Sequence, residues 1–346
     1  PDGTPMLTPG GVRIAGGGIE APAFAQIAAT GDGDFIASFV RDTTSFLSPR
    51  HVHAQKFGPD GTQRWGSSPV VVSDATVVPI AHEPSLVLDA DDNAVIAWHD
   101  TRDGDFDCYV QRLDASGTPI FPANGVAVST EAGRQQIGPA VALEPGGDVM
   151  LAFRNLDGAQ NFQGLNVQRI DGDGLRALGP GGVVLLPFNN QFNGTPLAAN
   201  DAGGIAILSE IEPNSSVGNF DGILQLIRVD ASGASLDGGP IDVSTVLSAK
   251  SRRALEATAN DGYIIAWDDD RNGDDDIYAQ NVNADGTLGG DCLADLNGDG
   301  ILDLQDVQLF IGAFLAGDLL ADVTGDGILD LADVQTFVAS FVAGCP

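Results

Sequence analysis

The densest chemistry in the chain lies in two stretches near the C-terminus. Asp295, Asn297, Asp299, Asp303 and Asp306 fall at positions 1, 3, 5, 9 and 12 of the first, with Gly300 at position 6. Asp322, Thr324, Asp326, Asp330 and Asp333 repeat the set in the second, with Gly327 at the glycine position. Oxygen ligands at this spacing around a glycine are the layout of an EF-hand calcium loop. The seventh residue binds through its backbone carbonyl, which here names Ile301 and Ile328. The clustered carboxylates repel one another until a hard cation offsets them, so folding of the segment is expected to depend on calcium. The expectation is two ions, one per loop, with Thr324 making the second site the weaker.

Elements that would hold these loops follow them directly. Val307, Phe310, Ile311 and Phe314 have helical spacing after the first loop, and Val334, Phe337, Val338 and Phe341 after the second. This duplicated loop-helix, with Asp306 and Asp333 rather than Glu closing each loop, closely resembles a type I dockerin over residues 291–346. The resemblance implies a calcium-dependent docking module that binds a partner protein, which in cellulosomes is a cohesin. Cys292 and Cys345 bracket the module. Either a disulfide ties its two ends, which would suit a small acidic unit, or the two are separate thiols.

Other groups invite chemistry less specifically. Asp268, Asp269, Asp270, Asp274, Asp275 and Asp276 form an acidic run around Arg271 that reads either as a further calcium site or as a solvated loop. Asp89, Asp91 and Asp92 pose the same choice. His51 and His53 share a strand face, but no third zinc ligand is identifiable, so surface histidines are the better reading. Cys108 stands where the repeat has Ile277 and reads as a buried apolar substitute. Asn193-Gly-Thr195 and Asn214-Ser-Ser216 match the glycosylation sequon without context to support it. A glycosidase needs two carboxylates across a sugar, and among 48 acidic residues the sequence singles out no pair. The sialidase Asp-box is absent.

The rest of the chain is organised by a repeat. Trp98, Asp100, Arg102, Gly104, Asp107, Tyr109 and Gln111 return as Trp267, Asp269, Arg271, Gly273, Asp276, Tyr278 and Gln280. Phe39, Phe153 and Leu208 mark three worn copies, giving a period of roughly 56 residues, the signature of stacked supersecondary units. Each unit holds four strand candidates, among them Tyr263–Trp267, Tyr109–Leu113, Val70–Ser73 and Ser85–Leu88, with Asp-Gly or Ser-Gly turns between. The Trp-x-Asp-x-Arg motif reads as a structural loop held by an Asp–Arg contact. Four-stranded units in radial repetition describe a β-propeller. The expected fold is all-β over 1–290, a five-bladed propeller, with 291–346 as a small α-helical calcium module. The last repeat stops after two strands, and residues 1–30 are expected to supply the missing two and close the ring.

Composition limits the function. There are 45 Gly, 19 Pro and a net charge of −32, which repels nucleic acid and anionic membranes and attracts divalent cations. No apolar run reaches transmembrane length. The chain opens at Pro1 without a signal peptide, as expected of a processed chain or a fragment. The first reading is an extracellular or cell-surface, non-catalytic assembly protein. Its calcium module docks a rigid propeller to a protein partner, or to copies of itself as a fibre subunit, with a glycan as a further ligand. The alternative is an extracellular polysaccharide-active propeller hydrolase targeted by its dockerin.

Overall fold

In the computed structural model the chain is described over residues 11–16, 21–42, 50–75, 78, 83–189, 195–201, 203–213, 221–258, 261–289, 293–297, 302–324 and 327–343. It divides into two compact units, Pro1–Ala257 with Ala266–Tyr278, and Thr258–Ile265 with Ala279–Pro346.

Antiparallel sheets follow one another along the chain. The first joins β1 (Ala21–Ala29), β2 (Phe35–Asp42), β3 (Arg50–Phe57) and β4 (Val70–Ser73). The second joins β5 (Ser85–Leu88), β6 (Ala94–Asp100), β7 (Asp107–Leu113) and β8 (Val126–Ala127). The third joins β9 (Arg134–Leu143), β10 (Val149–Asp157), β11 (Gln163–Ile170) and β12 (Val183–Asn189). The fourth runs from β13 (Leu197–Asn200) through β14 (Gly204–Ile211), β15 (Asp221–Asp230) and β16 (Ile241–Ala257) to β17 (Tyr263–Asp269) and β18 (Asp276–Val282).

The middle strands read as unbroken apolar runs because both of their faces are buried. Ile96 and Trp98 on one face of β6 pack with Ile36, Val40 and Val52 of the first sheet. Val95 and Ala97 on the other face pack with Val141, Leu151 and Phe153 of the third. Met150 and Ala152 then meet Ile205 and Ile207 of the fourth. The turns that end the repeat motif also lock neighbouring sheets. Gly117 has φ +85°, where a side chain is strained, and a Cβ there would lie 2.7 Å from the Trp65 ring of the preceding sheet. Val12 covers Gly61 in the same way, 3.0 Å from where its Cβ would be.

The sheets are phased differently from the sequence units. The strand that ends each unit pairs with the first strand of the next, as Ser85–Leu88 does with β6. The reason is the tight turn between them: Asp89 Oδ1 accepts from the backbone N–H groups of Asp91 and Asn93, so this hairpin closes at small entropic cost. It follows that β1 pairs with β2, from Ala21↔Asp42 to Ala29↔Phe35, and does not complete the last unit as expected. Nor is the last unit a separate sheet. The long β16 pairs with β15 through its first half, up to Ala249, and then continues toward β17. Residues 1–10 and 17–20 lie outside the described residues.

The second unit contains α1 (Leu304–Ala316) and α2 (Leu331–Ala343), with a short 3-10 turn at Leu319–Ala321. Phe310 and Phe337 stack at 4.1 Å between the helices, over buried Ala294 and Ala321.

Candidate functional site

The repeat motif builds a structural staple. Trp98 Nε1 donates to Asp100 Oδ2 at 2.9 Å, and Arg102 Nη2 meets the same oxygen at 2.6 Å. The Arg102 guanidinium lies 3.6 Å from the Tyr109 ring centroid and donates to Ser73 Oγ of the preceding sheet at 3.2 Å. The second copy repeats this: Trp267 Nε1 to Asp269 Oδ2 at 2.8 Å, and Arg271 stacked 3.8 Å from Tyr278. Burial works to raise the Asp269 carboxyl, but bonds from Arg271, Ser248 and Trp267 hold it well below the usual carboxylate range. Both staples commit their carboxylates to the fold, and the one buried staple atom left without a partner among the described residues is Arg271 Nε, a donor.

The worn copies are another matter. Phe153 and Leu208 replace the tryptophan and have no indole N–H, so the position two residues on is released from its structural task. It is Asn155 on β10 and Glu210 on β14. Glu210 is buried and lies against Gly222, where a Cβ would come within 2.8 Å of its Cγ. Its Oε2 lies 3.3 Å from Arg253 Nη1 of β16, while Arg253 Nη2 donates to the Thr195 carbonyl at 3.1 Å. Glu212 follows just beyond the strand, buried, with an Oε2 that accepts no hydrogen bond. Arg154, next to Asn155 on β10, is held by Gln163 Oε1, which accepts from its Nε at 2.9 Å.

Electrostatics separate the two glutamates. Burial, then the charge of Glu210, pushes the Glu212 carboxyl up to about 7. Burial raises Glu210 too, against the pull of Arg253 and Lys250. Burial, then Arg253, brings the Arg154 guanidinium down to about 10, so it stays cationic at neutral pH. One carboxyl that keeps its proton near neutrality beside one that is ion-paired is the arrangement of an acid and a base. Sequence reasoning missed this cluster. Two signals were present: only seven of the 48 acidic residues are Glu, and two of them form Glu210-Ile-Glu212 at a motif position that has lost its Asp.

The calcium-loop residues of the second unit are partly described. Asp303 caps α1, accepting from Gln305 N at 2.6 Å, and the Asp306 carboxylate accepts from Leu296 N at 3.0 Å and Asp303 N at 3.0 Å. Asp333 likewise accepts from Asp330 N at 2.9 Å and Thr324 Oγ1 at 2.9 Å, and Thr324 Oγ1 lies 3.3 Å from Asp322 Oδ1. The first, third and twelfth positions of the second loop thus converge, and this oxygen-only set fits a hard cation. In the first loop, Asp306 reaches the backbone beside Asp295 and Asn297. Ile328 is exposed. Asp299, Gly300, Ile301 and Asp326, like Cys292 and Cys345, lie outside the described residues. On α2, Val334, Val338, Ala339 and Val342 line an open apolar groove of about 560 Å³.

The remaining sequence candidates are placed as follows. In the acidic run, Asp268 pairs with Arg252 at 2.8 Å, Asp269 with Arg271, and Asp270 accepts from Ala249 N at 2.9 Å; Asp274, Asp275 and Asp276 are exposed. Asp89 of the other acidic turn pairs with Arg112. Among the described residues no three His, Cys, Asp or Glu groups are gathered as a metal site. His53 is buried and stacks on Phe39, so it is not the surface histidine expected. Cys108 is a free, buried thiol whose pKa burial pushes up. Both sequons include residues outside the description.

No protein-family model and no curated protein matches the chain. Solved structures do. An ulvan lyase of polysaccharide lyase family PL25, bound to a GlcA(1-4)Rha3S ligand, superposes with a TM-score of 0.51 at 14% identity, over 77% of this chain and 65% of its own. A second structure of an ulvan lyase of that family gives 0.50 at 13% identity, over 77% and 65%. The fold is propeller-like. A protein of unknown function from Dyadobacter fermentans aligns over 78% of this chain and 80% of its own, with a TM-score of 0.49 at 12% identity. At these identities the likeness concerns the propeller-like fold alone. No helix among the described residues is long and apolar enough to cross a membrane.

Proposed function

We propose that the chain is an extracellular polysaccharide-active protein whose propeller-like unit hydrolyses glycosidic bonds at the Glu210–Glu212 cluster. The observation that carries this reading is the presence of two buried glutamates two residues apart, Glu212 with an uncommitted Oε2 and Glu210 in an ion pair with Arg253 at 3.3 Å. Glu212 donates its proton to the leaving glycosidic oxygen, and Glu210 acts from the other side as base or nucleophile. Arg253 meets Glu210, and the charges of Arg154 and Arg253 both act on Glu212. A screen of plant, algal and bacterial polysaccharides for release of reducing ends tests it, with E210Q and E212Q as controls. Loss of release in both variants is expected, and turnover of no polymer by the wild type contradicts the reading.

The second unit is proposed to be a dockerin-like module that binds two calcium ions through Asp295, Asn297, Asp299, Ile301, Asp303 and Asp306, and through Asp322, Thr324, Asp326, Ile328, Asp330 and Asp333. It attaches the propeller-like unit to a protein partner, or to copies of itself, which would make it the delivery half of the molecule. The convergence of Asp322, Thr324 and Asp333 supports the metal, and the apolar groove on α2 supports a protein contact. Ring closure into five blades is part of the same proposal. Val12 supports it, because it covers Gly61 as Val183 of β12 covers Gly233, and so takes the place of a last strand ahead of the first sheet.

A further inference from the structure

Arg154 is an arginine without a counter-ion in a chain where acidic residues outnumber basic ones 48 to 16. Arg102, Arg112, Arg228, Arg253 and Arg271 each meet a carboxylate. Arg154 meets none within 4.0 Å among the described residues. Its Nε and Nη2 both donate to the neutral amide oxygen of Gln163. Its Nη1 donates to nothing described and is not sealed from solvent. A half-buried guanidinium with one edge fixed and the other free is pre-set for an anion, which it binds through charge-assisted hydrogen bonds.

Taking the Glu210–Glu212 cluster as the sugar-handling centre, we infer that its substrate is a polysaccharide with an anionic substituent, carboxylate or sulfate, seated on Arg154. Local charge favours this. Arg253 is neutralised by Glu210, so with Glu212 protonated the cluster has one uncompensated positive charge, on Arg154. The same protonation state is the one in which Glu212 serves as acid, so the anion is held best when the site is competent. The negative field of the whole chain opposes a polyanion at a distance, but at physiological salt it is screened beyond about 8 Å and leaves the direct contact intact. Gln163 positions the guanidinium, and no second cation is needed to orient it.

The test uses the full-length protein with polygalacturonate, a sulfated galactan and neutral arabinan, comparing wild type, R154Q and R154K by affinity electrophoresis and reducing-end release. Wild type is expected to bind and cleave at least one of the two polyanions in preference to arabinan, and which of them identifies the substituent as carboxylate or sulfate. R154Q should weaken that binding by about tenfold or more, the scale of one lost charge-assisted hydrogen bond, and R154K should recover part of it. Near-UV circular dichroism checks that both variants are folded. Equal handling of the polyanions by wild type and R154Q overturns the inference. So does cleavage of arabinan alone, unaffected by R154Q but lost in E212Q, and that outcome leaves the Glu210–Glu212 reading standing. Failure to bind or cleave any of the three polymers, in a wild type that cleaves none of the wider screen, overturns both.

Discussion

Glu210 stands on β14 where Asp100 stands on β6, each two residues beyond the position that fills the core, Leu208 in one and Trp98 in the other. The consequence follows from the indole. Asp100 is tied to Trp98 Nε1 and to Arg102, while Glu210, beside a leucine, faces Arg253 across the next strands. The same repeat position therefore serves the staple in one sheet and, on the proposed reading, chemistry in another.

The staple should be stabilising and catalytically silent. D100A leaves the buried Trp98 N–H without its acceptor and takes the carboxylate from Arg102, which keeps only Ser73, the Asn124 carbonyl and Tyr109, and is expected to cost about 3 kcal/mol, the scale for breaking a buried pair from one side. W98F removes a single bond and some contact area and should cost about 1–2 kcal/mol. Urea unfolding monitored by fluorescence reads both. A D100A midpoint equal to wild type would show that the staple contributes nothing.

Glu212 should make stability fall as pH rises. Its folded pKa, about 7, lies above the ordinary glutamate value of 4.5, so the fold prefers the protonated form. That preference is fully present below pH 4.5 and is lost as pH rises through about 7. Thermal midpoints from pH 4.5 to 8 should decline less steeply for E212Q than for wild type. Parallel curves would mean that Glu212 is not held protonated by the fold.

Calcium should order the second unit. Calorimetry of the full-length protein is expected to show two binding events, the tighter abolished by D299A and the weaker by D326A. Chelator should remove a thermal transition without touching that of the propeller-like unit. An unchanged scan in excess chelator contradicts the metal assignment.

The N-terminal segment should act as part of the propeller-like unit. Ile14 and Ala15 pack on the cluster of Ala37, Phe39 and Phe57, and Val12 covers Gly61. Deleting residues 1–16 uncovers these side chains, so aggregation by light scattering should rise. The same instrument tests self-assembly: association with calcium that chelator reverses is expected if the neighbouring chain takes this segment, and a strict monomer in both conditions limits it to closure within one chain.

What the sequence made legible was whatever repeats. The period, the strand runs around Trp98 and Phe153, the turn at Gly117 and the helices after Asp306 and Asp333 each satisfy one local rule, and each is present. Sheet phase was not legible, because strand pairing is decided by the Asp89-type hairpin rather than by where the motif begins. Nor was the Glu210–Glu212 cluster. It joins residues from β10, β14 and β16, and periodicity points to residues that match, whereas this site consists of those that do not.

The central claim is that Glu212 is a general acid working with Glu210. The pH dependence of kcat/KM for reducing-end release on the best polysaccharide of the screen tests it most directly. The account predicts a basic limb near pH 7 in wild type, set by loss of the Glu212 proton, with E212Q and E210Q each reduced by at least 100-fold, the scale of general acid catalysis. Retention of wild-type turnover by E212Q, or a profile without a basic limb below pH 9, would contradict it.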